Sequence, residues 1–551
     1  MNKRTWLLMT ICLGVFGLTG SIELNLYGQS PDLDIIAVAL DVNDNAAIDD
    51  AEILTAVRLW ISGDIVPGTN LTISDGVILE LVELWINGPP SNSPPPSPTM
   101  PPAPLIGDVL PPGVQGSAGN VMAGQVMFRV DIDPLEFPKT SCNDGTPSVF
   151  YVRTATESQF KNHWHISMQG GGGCRSGTDC ANRWLSIGTN FGANKMSTSM
   201  NPANGISLGG IFHPDRSFNN FATWNHVFIY YCSSDGWRGT KSDVQLTATS
   251  NQGNSVDYRI HFHGANILNA TIQMLKRTHG QPVRYQDDRQ QDHDMPDLDN
   301  ADFVLFSGTS AGSNGIKHHA DRVRESLMNT NVNCTSRSSC ALDFRAWIDA
   351  GYDPDFDDHD YGPTVLCTQL SLCSYQQLME YQWQDIDMNT YGALGEKSCI
   401  DWHRKNEPGT EWKCADGIHL IENHITTPFF LRQDQQDQLK RGNYIDAGFG
   451  SAADFGQGIY EQMLELADLN ILAEEGSVRS GGRPLTTPGT FSPKCLHHES
   501  IRTNQSFFNV RVNEGGTLYS YHDVLWNWVS GINPQQVIRP FDGPGPAPGC
   551  P

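Results

Sequence analysis

Basic residues are scarce in this chain. Only 36 Lys and Arg stand against 61 Asp and Glu, giving a formal net charge of -25 over 551 residues. That deficit argues against nucleic acid or an anionic membrane surface as partner, because either needs a cationic face. Long apolar runs are lacking too. The one candidate, Trp6 to Leu18, is too short to span a bilayer comfortably, and no later segment reaches transmembrane length. It follows Lys3 and Arg4 and precedes Gly20 and Ser21, which is the order of a secretory signal, expected over residues 1–21. The cysteines come without a compact C-x-x-C or an accompanying histidine pair, so disulfides of an exported protein are expected rather than zinc. Of the 13 cysteines, Cys12 falls in the signal and an even number remains. Cys174/Cys180, Cys334/Cys340, Cys367/Cys373 and Cys399/Cys414 are spaced as short loops. Cys142, Cys232, Cys495 and Cys550 are left for longer closures.

The length suggests two or more domains. Residues 31–88 hold an internal repeat, in which Ala47 to Gly63 returns as Thr72 to Gly88. Each copy offers a polar cap, an amphipathic helical pattern and a closing glycine. Before the first copy, Asp41, Asn43 and Asn45 set oxygen side chains at alternate positions, and Glu52 falls at the twelfth, the spacing of a calcium loop. The region resembles a dockerin or EF-hand-like module, with Ala46 where the sharp turn prefers glycine. One structural calcium ion and a cohesin-like protein partner are what that resemblance implies; a purely structural helical pair accounts for the same pattern. Residues 89–104 are a proline-rich, semi-rigid linker. No comparable break follows, so residues 105–551 are expected to form one catalytic domain. Strand-like runs (Trp164 to Met168, Val227 to Tyr231, Phe303 to Phe306, Phe429 to Arg432) alternate with helical stretches, as in an α/β sheet.

Chemistry concentrates at Gly308-Thr-Ser-Ala-Gly312, which closes the apolar run Phe303 to Phe306. A helical pattern follows, with Ile316, Ala320, Val323 and Leu327 at three- and four-residue steps. Strand, tight turn and helix with a serine at the apex form a nucleophile elbow. Such a serine, Ser310, needs a base, an acid to orient it, and donors for an oxyanion. Trp164 to Cys174 reads as a strand running into four consecutive glycines, so Gly171 and Gly172, with the N–H of Ala311, are the expected oxyanion donors. Thr427 to Asp437 supplies a strand with two carboxylates after it; Asp437 is the expected acid and Asp434 the alternative. The base is expected last, in Cys495-Leu-His-His-Glu499, with His498 favoured over His497. The order Ser310, Asp437, His498 is that of α/β-hydrolases.

Five blocks together resemble the pectin acetylesterase family, which includes the animal carboxylesterase Notum. They are Gln169 to Cys174 with Asp179-Cys180; Tyr231 to Asp235 with Trp237 and Gly239; Phe262 to Ala265; Gly308 to Gly312 with Asp321 to Val323; and Glu411 to Cys414 running on to Cys495 to Glu499. They cover most of residues 140–500 in the family's order. The resemblance implies a secreted α/β-hydrolase-type serine esterase with a mostly parallel sheet flanked by helices. Its implied nucleophile is Ser310 and its implied histidine His498. It pairs Cys142 with Cys232, Cys174 with Cys180 and Cys399 with Cys414. The glutamine-rich Gln433 to Gln438 departs from the family pattern and leaves Asp437 and Asp434 both open. By resemblance the substrate is an acetylated polysaccharide such as pectin, with no cofactor for catalysis. A broader carboxylesterase acting on lipid-like or aryl esters is the second reading. A non-catalytic extracellular binding or scaffold protein with a hydrolase fold is the third.

Overall fold

The fold is taken from a computed structural model. In the larger part of the chain it describes residues 103–110, 126–187, 192–199, 204–250, 253–276, 281–336, 339–354, 375–446, 448–469, 487–547 and 550, and before these residues 50–62 and a few positions up to 81. The chain divides into two compact units, residues 1–101 and 102–551. In the first unit, Asp50–Ser62 is the helix expected of the first repeat copy. It buries Ile53 and Ala56, and the equivalent positions of the second copy, Ile78 and Leu81, are buried as well. Of the calcium-loop residues, Asp41, Asn43 and Asn45 lie outside the described residues, as does the side chain of Glu52.

The second unit is built on a sheet of ten strands among the described residues. In chain order they are β1 Met127–Asp131, β2 Val149–Arg153, β3 His163–Met168, β4 Gly205–Ile206 and β5 Asn225–Ile229, then β6 Phe303–Thr309, β7 Asp343–Asp349, β8 Phe429–Arg432, β9 Gly489–Ser492 and β10 Gln536–Ile538. Across the sheet the order is β10-β9-β8-β7-β6-β3-β5-β2-β1-β4. From β10 to β5 every pairing is parallel; β2, β1 and β4 extend the edge in antiparallel pairs. A parallel sheet covered on both faces needs apolar residues on both sides of its strands. Accordingly β5, β6 and β7 are buried at every position. The helix Ala311–Met328 turns Ile316, Ala320, Val323 and Leu327 inward, as its periodicity predicts.

One expected strand is shifted. The run read as Val227 to Tyr231 pairs as Asn225–Ile229, because the Tyr231 N–H is taken by Gln169 Oε1 at 3.0 Å and leaves the ladder. Among the described residues five disulfides form: Cys142–Cys232, Cys174–Cys180, Cys334–Cys340, Cys399–Cys414 and Cys495–Cys550. Cys367 and Cys373 lie outside the described residues.

Polar groups in the middle of the sheet are satisfied in an ordered way. His226 Nε2 donates to the carbonyl of Phe221 at 2.9 Å, which leaves its Nδ1 to accept from His165 Nδ1 at 3.2 Å. His165 Nε2 then accepts from the Ser307 hydroxyl at 2.8 Å. Burial pushes both imidazoles far down, His165 to about 3, so the chain is neutral.

At the carboxyl ends of the strands a buried ionic cluster replaces this neutral pattern. The Arg432 guanidinium reaches Asp434 Oδ1 at 2.5 Å and Asp349 Oδ1 at 3.4 Å, and all three side chains are at most 2 % exposed. Removing one partner of such a group leaves buried charge unpaired, at a cost of about 3–5 kcal/mol. Arg432→Met is therefore expected to lower the thermal unfolding midpoint by many degrees. An unchanged midpoint would show that the cluster contributes nothing to the fold.

Candidate active site

Ser310 stands between the end of β6 and the helix Ala311–Met328 with φ 54° and ψ -117°, a conformation that side-chain-bearing residues avoid. Its N–H donates to the carbonyl of Asp349 at 2.9 Å, which ties the turn to the end of β7. The flanking glycines are required by close approach. A Cβ on Gly308 would sit 2.1 Å from the carbonyl oxygen of Gly312, and one on Gly312 would sit 2.2 Å from that of Met168. The turn thus fits its surroundings only without side chains at these two places.

The loop after β9 brings His498 over the serine. His498 Nε2 lies 2.8 Å from Ser310 Oγ, and His498 Nδ1 lies 2.8 Å from Asp437 Oδ2. Asp437 is fully buried and accepts from four donors. Oδ2 also takes Gln433 Nε2 at 2.9 Å, while Oδ1 takes the N–H groups of Leu439 and Lys440, each at 3.1 Å. Burial alone would raise this carboxyl. The hydrogen bond and charge of His498, aided by the Lys440 N–H, outweigh it and hold the group below the usual carboxylate range.

Asp434 is used differently. Its Oδ1 pairs with Arg432, and its Oδ2 accepts the His497 N–H at 2.9 Å. The His497 ring turns to the same carboxylate, with Nδ1 at 3.6 Å, and not to the serine. Arg432 also donates to the carbonyls of His498 at 2.9 Å and His497 at 3.2 Å, so it fixes the loop that carries the imidazole. Sequence reasoning missed Arg432 and Gln433. The glutamine-rich stretch was their signal: Gln433, Gln435 and Gln436 are all buried, and each is hydrogen-bonded. His318, on the helix that follows Ser310, is buried and shares a cavity wall with Ser310 and His498.

The glycine run after β3 lies opposite. The Gly171 carbonyl accepts Arg183 Nη2 at 2.6 Å and the Gly172 carbonyl accepts the Tyr231 hydroxyl at 2.7 Å. In a trans peptide the N–H points opposite to the C=O, so these anchors aim the N–H groups of Gly172 and Gly173 the other way. Among the described residues neither N–H, nor that of Ala311, bonds to protein. Gly172, Gly173 and Ala311 line a cavity of about 370 Å³ with Ser310 and His498; Gly171 is buried behind this wall.

The described lining of that cavity is strongly polar. Arg175, Arg238, Lys317 and Lys440 contribute cations, and Asp235, Asp353 and Asp416 contribute carboxylates. Arg238 pairs with Asp387 at 2.6 Å and Lys440 with Asp353 at 2.6 Å. Burial lowers Lys317 to about 8, and its Nζ donates to the Gly351 carbonyl at 2.9 Å. Larger apolar side chains are few, namely Met379, Ile418 and Leu439, with Tyr391.

Residues 129–283 match the family model described as Pectinacetylesterase. The chain is 25% identical over 385 residues to the palmitoleoyl-protein carboxylesterase notum1a of Danio rerio, covering 69% of this chain and 63% of that one. It is 28% identical over 296 residues to the palmitoleoyl-protein carboxylesterase NOTUM of Drosophila melanogaster, covering 53% of this chain and 35% of the other. The chain thus spans less than two thirds of the length of the curated relatives it matches. The solved structure of the Drosophila Wnt deacylase Notum superposes with a TM-score of 0.53 at 21% identity, over 78% of this chain and 100% of that one. With its parallel sheet, its elbow after β6 and a pectinacetylesterase match running from β1 past β5, the chain has an α/β-hydrolase-type fold similar to that of Notum.

Proposed function

We propose that the chain is a serine carboxylic ester hydrolase that works through an acyl-enzyme. The reading rests on the unbroken hydrogen-bond chain from Ser310 through His498 to Asp437, 2.8 Å at each link. His498 Nε2 takes the serine proton as Oγ attacks an ester carbonyl, and Asp437 holds the imidazole in the tautomer that can accept it. The tetrahedral oxyanion is stabilised by the N–H groups of Ala311 and Gly172, with Gly173 beside them. The alcohol departs with the proton from His498. Water then attacks the acyl-serine and gives its proton to His498, which passes it to Ser310 Oγ as the acyl–oxygen bond breaks and the acid is released.

The proposed substrate is an O-acetyl group on a polysaccharide such as pectin. Support comes from the cavity, where charged and amide side chains outnumber the few larger apolar ones among the described residues. A long acyl chain needs a deep apolar sleeve, whereas acetyl needs little more than the alanine and glycine surface beside Ser310. A broader carboxylesterase is the second reading, favoured by relatives that are named palmitoleoyl-protein carboxylesterases. The five disulfides among the described residues suit an oxidising, extracellular location.

Ser310→Ala is expected to lower kcat on p-nitrophenyl acetate by roughly a millionfold with the circular dichroism spectrum unchanged. Residual turnover within a hundredfold of the parent would reject Ser310 as nucleophile. The two carboxylates should separate cleanly. Asp437→Asn is expected to cost about 10⁴ in kcat through the wrong histidine tautomer. Asp434→Asn should mainly lower the unfolding midpoint, because it strips a countercharge from Arg432; the reverse pattern would exchange their roles. Across a p-nitrophenyl ester series, kcat/KM should fall at least roughly tenfold beyond butyrate. A rise towards long chains would refute the acetyl reading while leaving the serine mechanism standing.

A further inference from the structure

We propose that His403, His419 and His424 form a site for one divalent transition-metal ion of the zinc class, separate from Ser310 and its partners. The disulfide Cys399–Cys414 ties the helix Lys397–Asn406 to the turn Glu411–Ala415. His403 lies four residues after Cys399, on the same helical face. The chain then enters the helix Gly417–Asn423, which carries His419 and ends at His424. The three rings close a triangle, with centroids 5.1 Å apart for His403–His419, 5.9 Å for His403–His424 and 5.1 Å for His419–His424. One ring nitrogen from each lies within 4.8 Å of the others.

Two observations point to a ligand beyond this proximity. His424 is nine-tenths buried, yet its Nε2 has no hydrogen-bond partner, an arrangement that folded proteins rarely keep without a bound water or ion. His403 and His419 also face each other through Nε2 at 2.9 Å. The tautomer of His403 follows from its surroundings. The Thr410 hydroxyl donates to the Glu407 carbonyl at 2.6 Å, so it accepts from His403 Nδ1 at 2.6 Å, and the His403 lone pair is on Nε2. A protein hydroxyl behind one imidazole nitrogen, with the other free to bind, is the outer-shell pattern of a metal-ligating histidine.

In the metal-free protein the His419 Nε2 proton fills the gap to His403. An ion would replace that proton, which moves to Nδ1; the Asn423 amide, whose Nδ2 donates towards Nδ1 at 3.3 Å in the metal-free protein, would then have to turn its oxygen to that position. With zinc–nitrogen distances near 2.0–2.1 Å the two nitrogens must part by only about half an ångström. Cys399 belongs to a disulfide and offers no thiolate, so the donor set is three imidazoles with a water completing the tetrahedron. Imidazoles alone suit zinc, copper or nickel and not the oxygen-seeking calcium or magnesium. A second grouping, Asp434, Cys495 and His497, is not equivalent: its sulfur is bonded to Cys550 and its carboxylate to Arg432. Because Ala415 to Ile418 line the cavity beside Ser310, an ion held by His419 and His424 would brace that wall.

The test uses the full chain without a histidine tag, stripped with a chelator and titrated with zinc or cobalt. We expect one ion per chain, a tetrahedral cobalt absorption band and an unfolding midpoint raised by saturating zinc. His419→Ala and His424→Gln should each weaken binding at least tenfold and remove the midpoint shift, while labelling of Ser310 by a fluorophosphonate is retained. If His419→Ala does not fold, His424→Gln, which keeps the side-chain volume, decides. No stoichiometric binding by the parent protein, or binding undiminished in His424→Gln, overturns the proposal.

Discussion

One buried guanidinium holds the carboxyl end of the sheet together. Arg432 ends β8, and through Asp349 it reaches the end of β7; through Asp434 and two carbonyls it reaches the loop of His497 and His498. Asp349 passes the constraint on. Its Oδ2 accepts from Thr309 Oγ1 at the end of β6 and from the Ser500 N–H, and its Oδ1 accepts from the Tyr521 hydroxyl. The elbow, the acid loop and the histidine loop come from segments far apart in sequence, yet each is tied to this cation directly or through one carboxylate. Such a cluster is costly to desolvate and is retained where it fixes geometry that apolar packing would leave loose. Here the geometry it fixes is the approach of His498 to Ser310.

What was legible in the sequence is what depends on local pattern. The run Phe303 to Phe306 and the helix carrying Ile316, Ala320, Val323 and Leu327 are set by apolar periodicity, and both occur where expected. β8 matches its sequence boundaries, Phe429 to Arg432, because a proline precedes it and polar residues follow. The antiparallel ribbon of Lys241–Thr249 with Ser255–Phe262 escaped notice, since its first strand buries no residue fully and carries little hydrophobic signal. The short edge strands β4 and β10 are fixed by their neighbours rather than by propensity.

The choice between Asp434 and Asp437 shows why the rest was not legible. Both are acids in one loop, both are fully buried, and their spacing to the strand differs by a single turn. What separates them is the partner each meets. Asp434 faces Arg432, whereas Asp437 faces His498 and the first N–H groups of the helix Gln438–Asp446. Spacing encodes neither contact. The same holds for the glutamines, which look like a solvated tract in sequence. In the fold they occupy a loop buried beneath the histidine segment, where an amide can meet a carboxylate and a carbonyl without adding charge.

That substitution of amides for charges bears on the chemistry. A catalytic carboxylate surrounded by further acids would share protons with them and hold the imidazole less reliably. Gln433 donates to the same Asp437 oxygen that receives His498, and its own Oε1 accepts the Tyr352 N–H. The amide therefore has a fixed orientation and satisfies Asp437 at the side away from solvent. On the cavity side Arg175, Arg238, Lys317 and Lys440 stand among the carboxylates of Asp235, Asp353 and Asp416. The structure thus differs by depth: beneath His498 a buried amide and backbone N–H groups meet Asp437, while the cavity above is lined by charged side chains of both signs.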